Sequence, residues 1–120
     1  MPFVRIDALR ADAERLDALV ETIGFPPNDR FQVLTSHDGI SGMLRYDDYL
    51  GVPRDDGIVY VALTMRSGRT PAQKQALYRR IAELAEEYAG TEPRNVVITL
   101  TENESADWSF GHGVAQYVEG

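Results

Sequence analysis

The sequence has no cysteine, one lysine, one tryptophan and two histidines among its 120 residues. The absence of cysteine rules out a disulfide framework, a thiolate nucleophile and a zinc–thiolate site. His37 and His112 stand far apart in the chain with no partners at ligand spacing, so no metal site is expected. No apolar run approaches the ~20 residues that a membrane span requires. Residues 1–24 carry Arg5, Asp7, Arg10, Asp12, Glu14 and Arg15, which does not fit a secretory signal. These absences predict a cytoplasmic protein with no membrane association. Basic charge is also scarce: 12 arginines and lysines face 19 aspartates and glutamates, a net charge of −7. That balance argues against nucleic acid as a partner, because its binding depends on neutralising phosphates. The stretch "SFGHG" at 109–113 follows no strand-to-helix pattern that would cradle a phosphate, and it reads as a turn. Ser36, Ser41, Ser105 and Ser109 have no nucleophile-elbow context. No cofactor is expected.

What is present is the composition of a globular chain, 43% apolar and 26% charged, and its length predicts a single domain over residues 1–120. "PFVRI" at 2–6 reads as a short strand. "ADAERLDALVETIG" carries Leu16, Leu19, Val20 and Ile23 at helical spacing, with Asp12 as N-cap and Gly24, Pro26 and Pro27 as stop signals. "DRFQVLT" at 29–35 is a second strand with Phe31 and Val33 on one face. Turn and loop residues fill 36–57, within which "MLRY" offers a short hairpin strand. "IVYVALTM" at 58–65 is the most apolar stretch and predicts a central strand buried on both faces. Thr70, Pro71 and Gln73 form a capping box that opens the clearest helix. Leu77, Ile81, Leu84 and Tyr88 supply its apolar stripe, and Gly90 ends it. "NVVITLT" at 95–101 is the last strand.

This order predicts an α+β fold built as a β-α-β-β-α-β pseudo-repeat. Each half is a strand, a crossover helix and a parallel partner strand. The halves join in one four-stranded mixed sheet with both helices on one face. The opposite face would stay apolar and bare, which predicts an oligomer.

Three places offer chemistry. Pro2 follows the initiator methionine, and proline is small enough to permit removal of Met1. The mature chain would then begin with a secondary amine. An α-amino group has a pKa near ~8, within reach of acid–base work at neutral pH. The alternative is that Pro2 only starts an edge strand. "TMRSGRT" at 64–70 closes the central strand and opens the second helix, so Arg66 and Arg69 flank a Ser-Gly turn beside a helix N-terminus. Such a corner suits a small carboxylate gripped by bidentate hydrogen bonds. The alternative is an Arg69 paired with an acidic neighbour and a solvated Arg66. Asp29, in "PPNDRFQ", could hold a water or orient an amine, or cap a turn.

Pro2, "DRFQ" at 29–32, "RSGRT" at 66–70, "AQKQALYRRIAE" at 72–83 and "ENESADWSFGHGVAQY" at 102–117 together resemble the tautomerase superfamily. The resemblance is strongest to its malonate semialdehyde decarboxylase branch. It implies a homotrimer in which Pro2 is the catalytic acid or base and Arg66 and Arg69 bind and polarise the substrate carboxylate. It further implies that Asp29 assists the proline or an attacking water, and that Trp108 and Phe110 line the pocket. The implied substrate is a small oxo- or enol-carboxylate. Two features depart from the pattern. The first helical segment is shorter than is usual, and the arginines are spaced Arg-x-x-Arg where the better-known decarboxylase has Arg-x-Arg. The related haloacrylate dehalogenases share the wider spacing. Decarboxylation of a 3-oxo acid, keto–enol tautomerisation of a 2-oxo acid (phenylpyruvate type) with hydratase side activity, and a non-catalytic carboxylate-binding trimer all remain open at this stage.

Overall fold

Four strands pair into one mixed sheet in a computed structural model that describes residues 3–21, 31–39 and 42–119. In chain order the elements are β1 (Phe3–Leu9), α1 (Ala13–Glu21), β2 (Phe31–His37), β3 (Val59–Arg66), α2 (Pro71–Ala89), β4 (Val96–Asn103) and the short α3 (Gln116–Glu119). The strand order is β2-β1-β3-β4. β1 runs parallel to β2, β3 runs parallel to β4, and the central β1–β3 pair is antiparallel. The α+β pseudo-repeat is therefore realised, each half a β-α-β unit with its helix as the parallel crossover.

Local signals set the helix ends. Asp12 accepts a hydrogen bond from the Arg15 N–H at 2.8 Å, the side-chain cap expected of an aspartate at that position. Thr70 accepts from the Gln73 N–H, and the Gln73 side chain accepts from the Thr70 N–H. Gly90 ends α2 in the left-handed conformation at φ 65, where a Cβ would be strained. Gly24, Pro26 and Pro27 lie outside the described residues.

One face of the sheet meets both helices. Val4, Ile6 and Ala8 of β1 and Val59, Val61 and Leu63 of β3 pack against Leu16, Leu19 and Val20 of α1 and Ile81 and Ala85 of α2. Each large side chain buried there contributes roughly 1.5–3 kcal/mol relative to exposure. Three expectations need correction. β3 is buried on one face only: Val59, Val61, Leu63 and Met65 are buried, while Tyr60, Ala62 and Thr64 are partly exposed. Both long helices cover one side of the sheet; the other side meets loop segments, with the Tyr60 hydroxyl on the Arg45 carbonyl and Phe110 against Phe31. Tyr88 is not part of the packed stripe of α2, which runs through Leu77, Ile81, Ala85 and Ala89; Tyr88 is 55% exposed. "MLRY" forms no strand; this stretch is loop, tied down where the Tyr46 hydroxyl and Arg10 reach Asp56 at 2.7 and 2.6 Å.

The open face is mixed rather than apolar. Register places Phe3, Phe31 and Thr64 in one cross-strand row, and Arg5, Val33 and Ala62 in the next. Phe3, Phe31 and Val33 are exposed. Further along, Asp7 accepts from Arg5 at 3.1 Å and meets the His37 ring at 2.7 Å. Burial opposes ionisation of Asp7, but its hydrogen bonds to His37 and Arg5 outweigh that and hold its pKa below the usual carboxylate value. That pairing lets β1 continue through the charged Asp7 to Leu9, beyond the expected "PFVRI".

Candidate active site

The end of β3 delivers Arg66 to the surface, and the chain then turns sharply into α2. Gly68 makes the turn at φ 130, a conformation that residues with a Cβ avoid. The Ser67 N–H donates to the Asn103 carbonyl at 2.7 Å, which ties the turn to the end of β4. Arg66, Ser67, Arg69, Glu104 and Ser105 line a polar cleft of about 200 Å³ there.

The two guanidinium groups are held by neutral partners. Arg66 lies over the Tyr117 ring, 4.1 Å from its centroid, and its Nη1 is 3.5 Å from the Ser105 hydroxyl. Arg69 Nη1 donates to the Arg66 carbonyl at 3.2 Å. Among the described residues, neither forms an ion pair with a carboxylate. Of the nearby acids, Glu102 is paired with Lys74 and Glu104 accepts from the Ser67 hydroxyl at 2.8 Å. The Lys74 hydrogen bond is the main cause that lowers the Glu102 pKa, with the Gly68 N–H and the Arg69 charge adding to it. Both cations thus remain available to an anion, next to the capped N-terminus of α2, whose dipole adds partial positive charge.

Aromatic side chains stand beside this corner. Trp108 stacks on Phe110 with centroids 5.4 Å apart and planes 11° from parallel. Phe110 meets Tyr117 edge-on at 5.2 Å and Phe31 at 5.8 Å. The Trp108 indole N–H donates to Asn103 Oδ1 at 2.7 Å, and the Phe110 N–H donates to Gln116 Oε1 at 2.9 Å. Phe110 therefore links the start of β2 to the residue that carries Arg66. The turn at 109–113 forms as expected, with positive φ at Gly111, His112 and Gly113.

Of the residues singled out in the sequence, Arg66, Arg69, Trp108 and Phe110 are brought to this one end of the molecule. Pro2 and Asp29 lie outside the described residues. Their described neighbours are at the same end. Phe3 stands opposite Thr64, two residues before Arg66, and opposite Phe31, which touches Phe110. Sequence reasoning missed Tyr117, Ser67 and Glu104. Tyr117 and Glu104 fall inside the quoted "ENESADWSFGHGVAQY", but nothing local in that string says which of its side chains turns toward Arg66.

Comparison with known proteins agrees with this geometry. Residues 29–111 match a family described as tautomerase enzyme. Two Bacillus subtilis (strain 168) proteins named as probable tautomerases align along nearly their whole lengths. YusQ is 36% identical over 99% of this chain and 100% of its own length, and YrdN is 33% identical over 100% and 98%. Among solved structures, a malonate semialdehyde decarboxylase inhibited by 3-bromopropiolate superposes with TM-score 0.76 at 38% identity, covering 97% of this chain and 94% of its own. A second malonate semialdehyde decarboxylase, studied for decarboxylase and hydratase activities, gives 0.76 at 31%, covering 96% and 95%. The chain belongs to the tautomerase superfamily, in the branch that resembles malonate semialdehyde decarboxylase.

Proposed function

We propose that this protein is a proline-dependent acid–base enzyme acting on a small oxo- or enol-carboxylate, with malonate-semialdehyde-like decarboxylation as the leading reaction. The observation that supports it is the pair of guanidinium groups, Arg66 and Arg69, without carboxylate partners among the described residues, in a polar cleft beside an aromatic wall. The 38% identity to a malonate semialdehyde decarboxylase supports decarboxylation as the leading reaction.

In this reading Met1 is removed and the Pro2 nitrogen is the titrating group. Arg66 and Arg69 clamp the substrate carboxylate, and Trp108 and Phe110 bound the carbon chain. Two nearby cations lower the pKa of such an amine, whereas the Asp29 carboxylate raises it. A protonated proline beside a 3-oxo group stabilises the enolate that forms as CO₂ leaves, and then protonates its carbon. A neutral proline moves a proton between carbon and oxygen of a 2-oxo acid. This second reading is tautomerisation of the phenylpyruvate type; the two Bacillus relatives, both probable tautomerases, support tautomerisation without naming a substrate. The same acid and clamp would add water to an activated alkene as a side activity. A homotrimer would cover the open sheet face, and a solved fused relative of the same fold is a symmetric trimer at TM-score 0.70. A non-catalytic trimer that binds a small carboxylate would keep the clamp but not need the amine.

Pro2→Ala tests this directly. Malonate semialdehyde turnover and phenylpyruvate tautomerisation are each measured on protein whose Met1 removal is verified by mass spectrometry. Loss of turnover with an intact circular dichroism spectrum is expected. Full activity in the variant would remove the proline from the mechanism.

A further inference from the structure

We propose that Glu104 sets the charge that the cleft accepts, making it selective for a monocarboxylate over a dicarboxylate. This inference rests on the reading of Arg66 and Arg69 as the carboxylate clamp. Of the five residues that line the cleft, two are cationic and one, Glu104, is anionic, so the empty wall carries a net charge of about +1 at neutral pH. Two arginines alone would welcome a dianion. With Glu104 beside them, a monoanion brings the wall to neutrality, and a second carboxylate on the ligand would face a carboxylate of the protein.

Glu104 is fixed on that wall. Its Oε1 accepts from the Ser67 hydroxyl at 2.8 Å, and its N–H donates to Asp107 Oδ2 at 2.8 Å. Ser67 is itself anchored through its N–H to Asn103. The Glu104 carboxylate makes no contact ion pair with either guanidinium among the described residues, so it offsets their field without occupying their donors. Of the two other acids at this corner, Glu102 is paired with Lys74, and Asp107 accepts from the Glu104 N–H. Like charges confined to a cleft of about 200 Å³, at the dielectric of a partly solvated site, change affinity by about tenfold.

The test uses two ligands of equal chain length, 3-hydroxypropanoate (a monoanion) and malonate (a dianion at neutral pH). Both are titrated calorimetrically into the wild-type protein, Glu104→Gln, Ser67→Ala and Arg69→Ala. Wild type should bind 3-hydroxypropanoate more tightly than malonate. Glu104→Gln should tighten malonate about tenfold more than it tightens 3-hydroxypropanoate. Ser67→Ala, which releases the carboxylate from its anchor, should shift the ratio in the same direction by less. An unchanged ratio in Glu104→Gln, or tighter malonate binding by the wild type, would overturn the inference while Arg69-dependent binding still upheld the clamp. Failure of both ligands to bind the wild type would overturn the clamp itself, and this inference with it.

Discussion

The guanidinium of Arg66 rests on the ring of Tyr117, 4.1 Å from its centroid, so a residue near the C-terminus fixes the position of a cation at the end of β3. A contact of this kind contributes about 0.5–1 kcal/mol at an exposed site. Tyr117→Leu should therefore raise the KM for a carboxylate substrate about two- to fivefold with a smaller change in kcat. Tyr117→Phe keeps the ring face and should behave as wild type. Equal KM values for all three proteins would show that the ring does not position Arg66.

Arg69 is exposed, and among the described residues its side chain makes one hydrogen bond, to the Arg66 carbonyl. Its removal should cost little stability. Each charge-assisted hydrogen bond to a carboxylate contributes about 1.5–3 kcal/mol, so Arg69→Ala should lower kcat/KM roughly 10- to 150-fold. The melting temperature should stay near that of wild type. Unchanged catalytic efficiency is the result that rules out the clamp.

Thr70 caps α2 directly after Arg69. Thr70→Ala should destabilise the protein by about 1 kcal/mol, which lowers the midpoint of thermal unfolding by roughly 3–6 °C. Thr70→Ser, which keeps the accepting oxygen, should recover most of it. A Thr70→Ala variant with the wild-type melting temperature would show that the capping box is not needed to hold this corner.

Asp7, paired with His37 and Arg5 on the open face, has a folded-state pKa below 3.8. Its contribution to stability is complete above that value and is lost as pH falls through the lower folded-state pKa. Asp7→Asn should be less stable than wild type near neutrality, and the difference should shrink on acidification below about pH 4. Melting temperatures of both proteins between neutral and strongly acidic pH check this. A difference independent of pH would mean that the carboxylate charge is not what matters.

The parts of the fold legible in the sequence are those written over a few neighbouring residues. The capping box at Thr70–Gln73, the cap at Asp12 and the stop at Gly90 form as read, because each closes a hydrogen bond within one turn. The parallel pairs β1–β2 and β3–β4 follow from strands separated by a helix. The burial of β3 on one face was not legible. An all-apolar run is equally consistent with one covered face or two, and only the placement of both helices decided it. Tyr88 fits a helical stripe by spacing, but it stands exposed at the edge of the packed stripe, beside Glu14, Arg15 and Ala18 of α1. The strand expected at "MLRY" gave way to a loop whose length is held by contacts to Asp56.

The sequence by itself determined membership of the tautomerase superfamily, the order of elements and the arginine-bearing corner, since caps, periodicity and motif strings are properties of adjacent residues. Only the tertiary structure decided what surrounds that corner: Tyr117 under Arg66, Glu104 bound to Ser67, and Lys74 drawing Glu102 away from Arg69. These contacts join residues that lie 28 or more positions apart, and their partners are set by how two strands and a helix close on one another rather than by any pattern along the chain.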